Sequence, residues 1–198
     1  MKKILFFIFF FTIFNSNAEQ KLTLIASVNN SVITSLDISN EVFLIKVINS
    51  NIKLNDNDLK GAALENVIDE ILKNLEIKEN NFSGVNQGLI DRQYNGLIKK
   101  LSENNETIAS DIKNKIYKKI ELDYKWNSLI KQKYSWKINI NMSEINEKLQ
   151  DRKNENEEIK DFLASKENLL VSEKNKKLSI YSAIHLDKIK KKALIKFF

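Results

Sequence analysis

The sequence predicts a mainly α-helical protein with a short N-terminal β-hairpin that is joined by a strand from the C-terminus. Proline is absent and only 4 glycines occur in 198 residues, although β-sandwiches and barrels use both residue types at their many turns. Most of the chain places apolar residues three or four positions apart, which is typical of amphipathic helices. Alternating or β-type segments occur only near the two ends.

The first 18 residues have the features of a secretory signal peptide. Two lysines precede an apolar segment, residues 4–14, and a small-x-small sequence then ends at Ala18. This order defines a cleaved signal, and the segment is shorter than the roughly 20 residues that a membrane-spanning helix needs. We therefore expect cleavage between Ala18 and Glu19 and export of a soluble remainder. An uncleaved anchor or a buried N-terminal helix is the alternative.

The predicted hairpin comes directly after this segment. Residues 22–28 alternate between inward and outward positions, 29–30 (Asn-Asn) suit a tight turn, and 32–34 form the returning strand. Thr34 and Asp37 have the spacing of a helix N-cap and its acidic N3 partner. A first helix is thus predicted from Thr34 to about residue 48.

Four more helices are predicted before a charged segment. The second helix has the clearest apolar stripe, and the fourth is the longest. An extended stretch, 136–141, should follow the fourth helix. The predicted ranges are 56–75, 86–101, 106–134 and 141–149.

The C-terminal part is expected to return to the N-terminal module. Residues 150–177 begin with many charges and few apolar side chains, which favours a linker or a helical insertion. Residues 178–198 regain helical periodicity and end in a β-like apolar segment, 193–198. A two-stranded hairpin is marginally stable alone, so we expect this segment to pair with it.

The residues needed for common catalytic and metal chemistry are missing. Cysteine is absent and His185 is the single histidine, so neither a thiol nor a His-rich metal site is available; we interpret His185 as a structural histidine. A calcium-loop pattern that starts at Asp56 places Lys60 and Val67 where ligands are required. We therefore predict a non-enzymatic protein without cofactor or metal.

Aromatic side chains are the candidate binding residues. Several lie beside the main apolar stripe of the long fourth helix and its exit, where an apolar surface bordered by lysines would suit a peptide. Packing in the core is the alternative for helically spaced aromatics. The candidate peptide-binding residues are Phe43, Tyr94, Tyr117, Tyr124, Tyr134 and Trp136.

Five segments resemble one known family in the same order. Residues 28–38 (Val-Asn-x-x-Val-Ile-Thr-x-x-Asp-Ile), 64–72, 125–130, 138–145 and 178–198 are similar to segments of the SurA family of periplasmic chaperones. The family resemblance implies a helical chaperone module over residues 19–149, with a closing helix and strand over 178–198. It further implies an ATP-independent periplasmic holdase whose clients are unfolded or nascent outer-membrane polypeptides.

The chain departs from that family in one respect. The family carries parvulin-type prolyl isomerase domains between the module and the closing helix, whereas residues 146–177 are far fewer than the about 100 of an ordinary domain. They also lack paired histidines. The resemblance is therefore to the chaperone module without its isomerase.

The charge pattern leaves one alternative function. The formal net charge is +6, but lysine dominates and only Arg92 and Arg152 could bind phosphate or bases in a bidentate manner, which argues against a nucleic-acid partner. Lysine-rich helices such as residues 188–192 could instead dock a fixed partner or make weak contact with an anionic membrane surface. The alternative is therefore a non-catalytic envelope adaptor.

Overall fold

The computed structural model describes residues 22–49, 52–103, 109–150 and 159–198, with side chains from 163 onward in the last range. Within these ranges the mainly helical fold class is confirmed. The predicted signal peptide and its cleavage site at Ala18 and Glu19 lie outside the described residues. The elements in chain order are β1 (Leu24–Val28), β2 (Ser31–Thr34), α1 (Ser35–Ile48), α2 (Asp56–Glu79), α3 (Gln87–Glu103), α4 (Ser110–Tyr134), α5 (Met142–Gln150), α6 (Ile159–Lys192) and β3 (Ile195–Phe197).

The small sheet joins the two ends of the chain, as predicted. Its strand order is β2-β1-β3 with both pairs antiparallel, and Ala26 of β1 lies opposite Ile33 on one side and Phe197 on the other. Asn29 has a φ of 52° in the hairpin turn, a conformation that asparagine tolerates. Its backbone N–H donates to the Leu194 carbonyl (2.8 Å), and its side-chain Oδ1 accepts from the Leu194 N–H (2.9 Å). One turn residue therefore holds the C-terminal strand in register.

The first two helices begin at side-chain caps. Thr34 and Asp37 form the predicted capping box on α1, in which the Thr34 N–H donates to Asp37 Oδ2 over 2.8 Å. Asn55 caps α2 by accepting from the Asp58 N–H (2.9 Å). Such caps satisfy backbone donors that a helix start leaves unpaired, so each start is determined locally.

α4 lies between α2, α3 and α6, and its apolar residues contribute to two of the core clusters. Ile112, Ile116 and Ile120 pack with α1 and α3. Further along α4, Trp126 and Leu129 pack with α2 and α6. A third cluster lies between the sheet, α1, α2 and the end of α6. Most of the core is thus built around one helix, whose two sides face different neighbours.

α6 differs from the expected division at residue 178. It is continuous from Ile159 to Lys192, so the described part of 150–177 is helical, which is the second of the two alternatives given for this segment. Leu169 of α6 packs against Ile145 and Leu149 of α5. This small cluster anchors the N-terminal half of α6 on α5. The predicted extended stretch 136–141 also begins differently, because Ser135–Lys137 form a 3-10 turn.

No helix in the described ranges combines the length and the apolar character needed to cross a bilayer.

Candidate functional site

Three of the six candidate aromatics pack together between α3 and α4. Tyr94 meets Tyr117 edge to face, with ring centroids 5.2 Å apart, and both rings and Tyr124 cover the apolar cluster of α1, α3 and α4. The Tyr117 hydroxyl donates to Asp91 Oδ1 over 2.9 Å. This hydrogen bond to a carboxylate raises the pKa of Tyr117. Tyr94 and Tyr117 are therefore mainly packing residues.

Tyr134 lies at the end of α4 and contacts α6. Its ring stacks on Tyr181, with centroids 5.1 Å apart and planes 6° apart, and its hydroxyl lies 2.7 Å from His185 Nδ1. Trp136, in the following 3-10 turn, leaves 76% of its surface exposed. Phe43 is 46% exposed on α1. Tyr134 and Trp136 are neighbours that share Lys137, whereas Phe43 and the cluster of Tyr94, Tyr117 and Tyr124 lie elsewhere. The six candidates therefore do not form one site.

A groove lies between α3, α4 and α6, with a volume of about 460 Å³. Of the six candidate aromatics, Tyr124 alone belongs to its lining. Apolar side chains form part of the walls, and neutral amides and hydroxyls form most of the rest. The lining residues are Leu89, Tyr124, Asn127, Ser128, Ile130, Lys131, Asn175, Leu178, Ser179 and Ser182.

Two helical stripes supply most of this lining. α4 contributes Tyr124, Asn127, Ser128 and Lys131, whose i, i+3, i+4, i+7 spacing places them on one side of the helix. The residues from α6, 175, 178, 179 and 182, have the same spacing. Two stripes, each with several neutral polar residues, thus run along the groove.

A buried tryptophan fixes the distance between these stripes. Trp126 is 2% exposed, and its indole Nε1–H donates to Ser182 Oγ over 2.7 Å. Leu129 and Ile130 pack beside it in the same cluster. Because an indole N–H that is buried requires an acceptor, this bond ties α4 to α6 at the edge of the groove.

The groove provides hydrogen bonds and apolar contacts but little charge. Asn127 and Asn175 each carry an acceptor and two donors. The hydroxyls of Ser128 and Ser179 can donate or accept a hydrogen bond. Lys131 is the one charged side chain in the lining. Such a surface can bind peptide N–H and C=O groups together with apolar side chains, and it has no acid, base or nucleophile pair of the catalytic kind.

A second cavity of about 460 Å³ lies between α1, α2 and α4, and it is charged. Lys119 donates to Glu41 Oε1 (2.8 Å) and also contacts Glu70, while Asn66 donates to Glu41 over 2.8 Å. Glu41 is only 4% exposed. Burial opposes the charge of Lys119, but the two carboxylates outweigh this and raise its pKa. Burial also raises the pKa of Glu70, since the desolvation of its carboxylate and the repulsion from Glu41 outweigh the attraction of Lys119.

The single histidine lies where α2, α4 and α6 meet. His185 is 7% exposed, and besides Tyr134 it contacts Glu76, with 2.9 Å between Nε2 and Oε1. Lys133 also donates to Glu76 (2.5 Å). Burial alone would raise the pKa of Glu76, but its hydrogen bonds from Lys133 and His185 lower it. The partners on both ring nitrogens confirm the prediction of a structural histidine.

Sequence analysis did not single out most of the groove residues. Serine and asparagine on exposed helices give no apolar periodicity, and two stripes in distant parts of the chain become one site only after folding. The usable signal was the matching spacing of small polar residues at 124–131 and 175–182. Across the described part of the chain, no group of three or more His, Asp or Glu side chains is arranged to hold a metal ion.

Comparison with known proteins adds no assignment. No protein-family model matches the chain, and a search of curated proteins finds no significant match.

Proposed function

We propose that the protein is an ATP-independent holdase that binds extended segments of unfolded polypeptides in the groove between α3, α4 and α6. The main support for this proposal is the lining of the groove, which combines apolar walls with neutral hydrogen-bonding groups along two helices. We also propose, from the resemblance to the SurA family, that the clients are unfolded outer-membrane proteins and that the protein acts in the periplasm. No catalytic step is part of this function.

The lining suits recognition that is independent of client sequence. Every peptide unit offers one donor and one acceptor, and Asn127, Ser128, Asn175 and Ser179 can bind either. Leu89, which is 40% exposed, and the neighbouring apolar walls would cover client side chains. A holdase must accept many sequences, and backbone contacts supply affinity without choosing among them.

The expected affinity is modest. Burial of apolar surface contributes about 25 cal/mol per Å², but ordering a flexible client opposes binding. A groove of this size should therefore bind client peptides with Kd values of about 1 μM to 1 mM. Reversible binding in this range allows a client to be passed on. Lys131 at the groove should make capture of acidic segments faster at low salt.

The direct test is suppression of aggregation. An unfolded outer-membrane β-barrel protein is diluted from urea, and light scattering is recorded with and without the purified protein and without nucleotide. Ser179→Arg places a long charged side chain in the groove and should abolish suppression. Ser172→Arg is the matched control, because Ser172 is an exposed serine of α6 outside the lining, and it should act like the unaltered protein.

Two results would contradict the proposal. One is the absence of suppression at a several-fold excess of protein. The other is full suppression by the Ser179→Arg variant, which would place client binding elsewhere. An adaptor with one fixed partner would bind that partner without protecting unfolded chains, and turnover of a proline peptide would indicate an isomerase instead.

A further inference from the structure

Three large apolar side chains are exposed where α4 ends beside α6. Trp136 is 76% exposed, Ile180 is 53% exposed and Ile184 is 58% exposed. The Trp136 indole N–H is already bonded to the Lys133 carbonyl (2.9 Å), so the ring presents an apolar body with a satisfied polar end. None of these three side chains belongs to the lining of the groove between α3, α4 and α6. They form the surface that we call the tryptophan surface.

Two contacts place the segments that carry these residues side by side. Tyr134 stacks on Tyr181, and Lys177 donates to the Asn139 carbonyl, so the segment 134–139 runs beside residues 177–181 of α6. Trp136 lies within this segment. Ile180 precedes Tyr181 and Ile184 follows it by one turn. The segment that carries Trp136 and the part of α6 that carries the two isoleucines therefore lie side by side.

Lysines surround this surface. Lys137 lies with Nζ 4.9 Å from the Trp136 ring centroid, and Lys176 and Lys188 are exposed on α6 at either end of the pair of isoleucines. Two carboxylates occur on the same stretch of α6, and both are in ion pairs. Asp187 pairs with Lys191 (2.6 Å), and Glu173 pairs with Lys148 (2.5 Å). The tryptophan surface is consequently apolar at its centre and cationic at its border.

We propose that the tryptophan surface binds reversibly to an anionic lipid surface, with Trp136, Ile180 and Ile184 inserted at the level of the headgroups. Tryptophan is enriched at that level of a bilayer, and lysines near an anionic leaflet attract it electrostatically. Charge complementarity favours a lipid partner over a second copy, because two identical lysine-bordered surfaces would repel each other. Three apolar side chains are also too few for the roughly 800 Å² per partner of a stable protein interface.

This inference is independent of the groove and of holdase activity. A protein that holds unfolded membrane proteins on one surface and rests on a lipid surface with another would bring captured chains close to a bilayer. Each lysine beside an anionic leaflet contributes about a fivefold gain in partitioning, the equivalent of about 1 kcal/mol. Binding should therefore weaken strongly with added salt.

Sedimentation with vesicles tests the inference. The purified protein is mixed with vesicles of phosphatidylcholine alone or of phosphatidylcholine with phosphatidylglycerol, and we expect binding to the second kind only. Trp136→Ala should lower the partition coefficient about tenfold, the loss of one inserted aromatic side chain. The double variant Lys137→Gln and Lys188→Gln should lower it about 30-fold. Phe43→Ala is the matched control, an exposed aromatic of α1 outside this surface, and should bind normally.

Fluorescence identifies the residue that enters the lipid. Trp126 is buried and Trp136 is exposed, so brominated phosphatidylcholine in the anionic vesicles should quench the Trp136 emission and leave the Trp126 emission. Equal binding of the Trp136→Ala variant and the unaltered protein would overturn the inference. Vesicle binding that does not depend on phosphatidylglycerol would also overturn it. The same holds if Trp136→Ala abolishes self-association of the protein, or if it abolishes client protection while the unaltered protein does not bind vesicles.

Discussion

The two sides of α4 face cavities of the same volume that differ in chemistry. Lys118 and Asn127 are nine residues apart, about two and a half turns, and therefore lie on opposite sides of the helix. The side of Lys118 faces α1 and α2 across a cavity in which Lys119 pairs with Glu41 and Glu70. The side of Asn127 faces α6 across the neutral groove. The two cavities are thus alike in volume and differ in the charge of their linings.

The charged side is expected to serve stability. Lys119 bridges α4 to Glu41 of α1 and Glu70 of α2, so its contacts join three helices. Such a pair is costly to break because a buried charge is then left without a partner. The groove side has the opposite character, since its lining is mainly neutral and Lys131 is its one charged side chain.

The largest effect should come from Glu41→Ala. Removing this buried carboxylate leaves Lys119 with Glu70 alone and leaves Asn66 without its acceptor, so we expect a loss of about 3 kcal/mol in the free energy of unfolding. Urea denaturation measures it. Glu121→Ala is the control, because Glu121 forms a half-exposed i,i+4 pair with Lys125 and should cost less than 1 kcal/mol. Equal losses would show that the contacts of the buried Glu41 with Lys119 and Asn66 have no special structural role.

A smaller, pH-dependent effect is expected at Glu76. Its pKa is lowered from 4.5 in the folded protein, so its contribution is complete above about pH 4.5 and disappears as the pH falls through the folded pKa. Glu76→Gln should cost about 2 kcal/mol at pH 7, the range for hydrogen bonds to charged groups. The difference from the unaltered protein should vanish in acid. A constant difference across the pH range would contradict this assignment.

Ser182→Ala tests the groove side, with an expected loss of about 1 kcal/mol. The substitution removes the acceptor of the Trp126 indole and leaves a buried donor unpaired. Ser179→Ala removes a neighbouring hydroxyl for which no such partner is needed, and it should change stability by less than 0.5 kcal/mol. Thermal unfolding compares the two. If Ser179→Ala were the more destabilising variant, the groove would be part of the structural core.

The parts of the fold that were predictable depend on local signals. The capping box of Thr34 and Asp37, the asparagine turn and the apolar stripe of α2 are each specified by residues that are close in sequence. The β-like end of the chain was also informative, because an isolated hairpin needs another strand. These features led to the correct fold class.

The candidate site was much less predictable. Tyr117 lies beside the main apolar stripe of α4, yet it packs against Tyr94 because α3 folds onto α4. The groove instead depends on the lateral alignment of residues 124–131 with 175–182. Two helical faces carry no sequence mark of their mutual register. The sequence left a linker and a helical insertion open for 150–177 for a related reason, since Leu169 packs against α5 through tertiary contacts alone.

The smallest expected effect is a gain in stability from Glu70→Gln. Burial raises the pKa of Glu70 above 4.5, so the folded state favours its protonated form, and this contribution is lost as the pH rises through the folded pKa. Glutamine keeps the oxygen that accepts from Lys119 and removes the repulsion from Glu41. We expect the variant to be more stable than the unaltered protein by about 0.5 kcal/mol at pH 7, with the difference falling towards zero below pH 4.5. A clear loss of stability at pH 7 would contradict this prediction. It would mean that the attraction of Lys119 for both carboxylates outweighs the burial of Glu70 and its repulsion from Glu41.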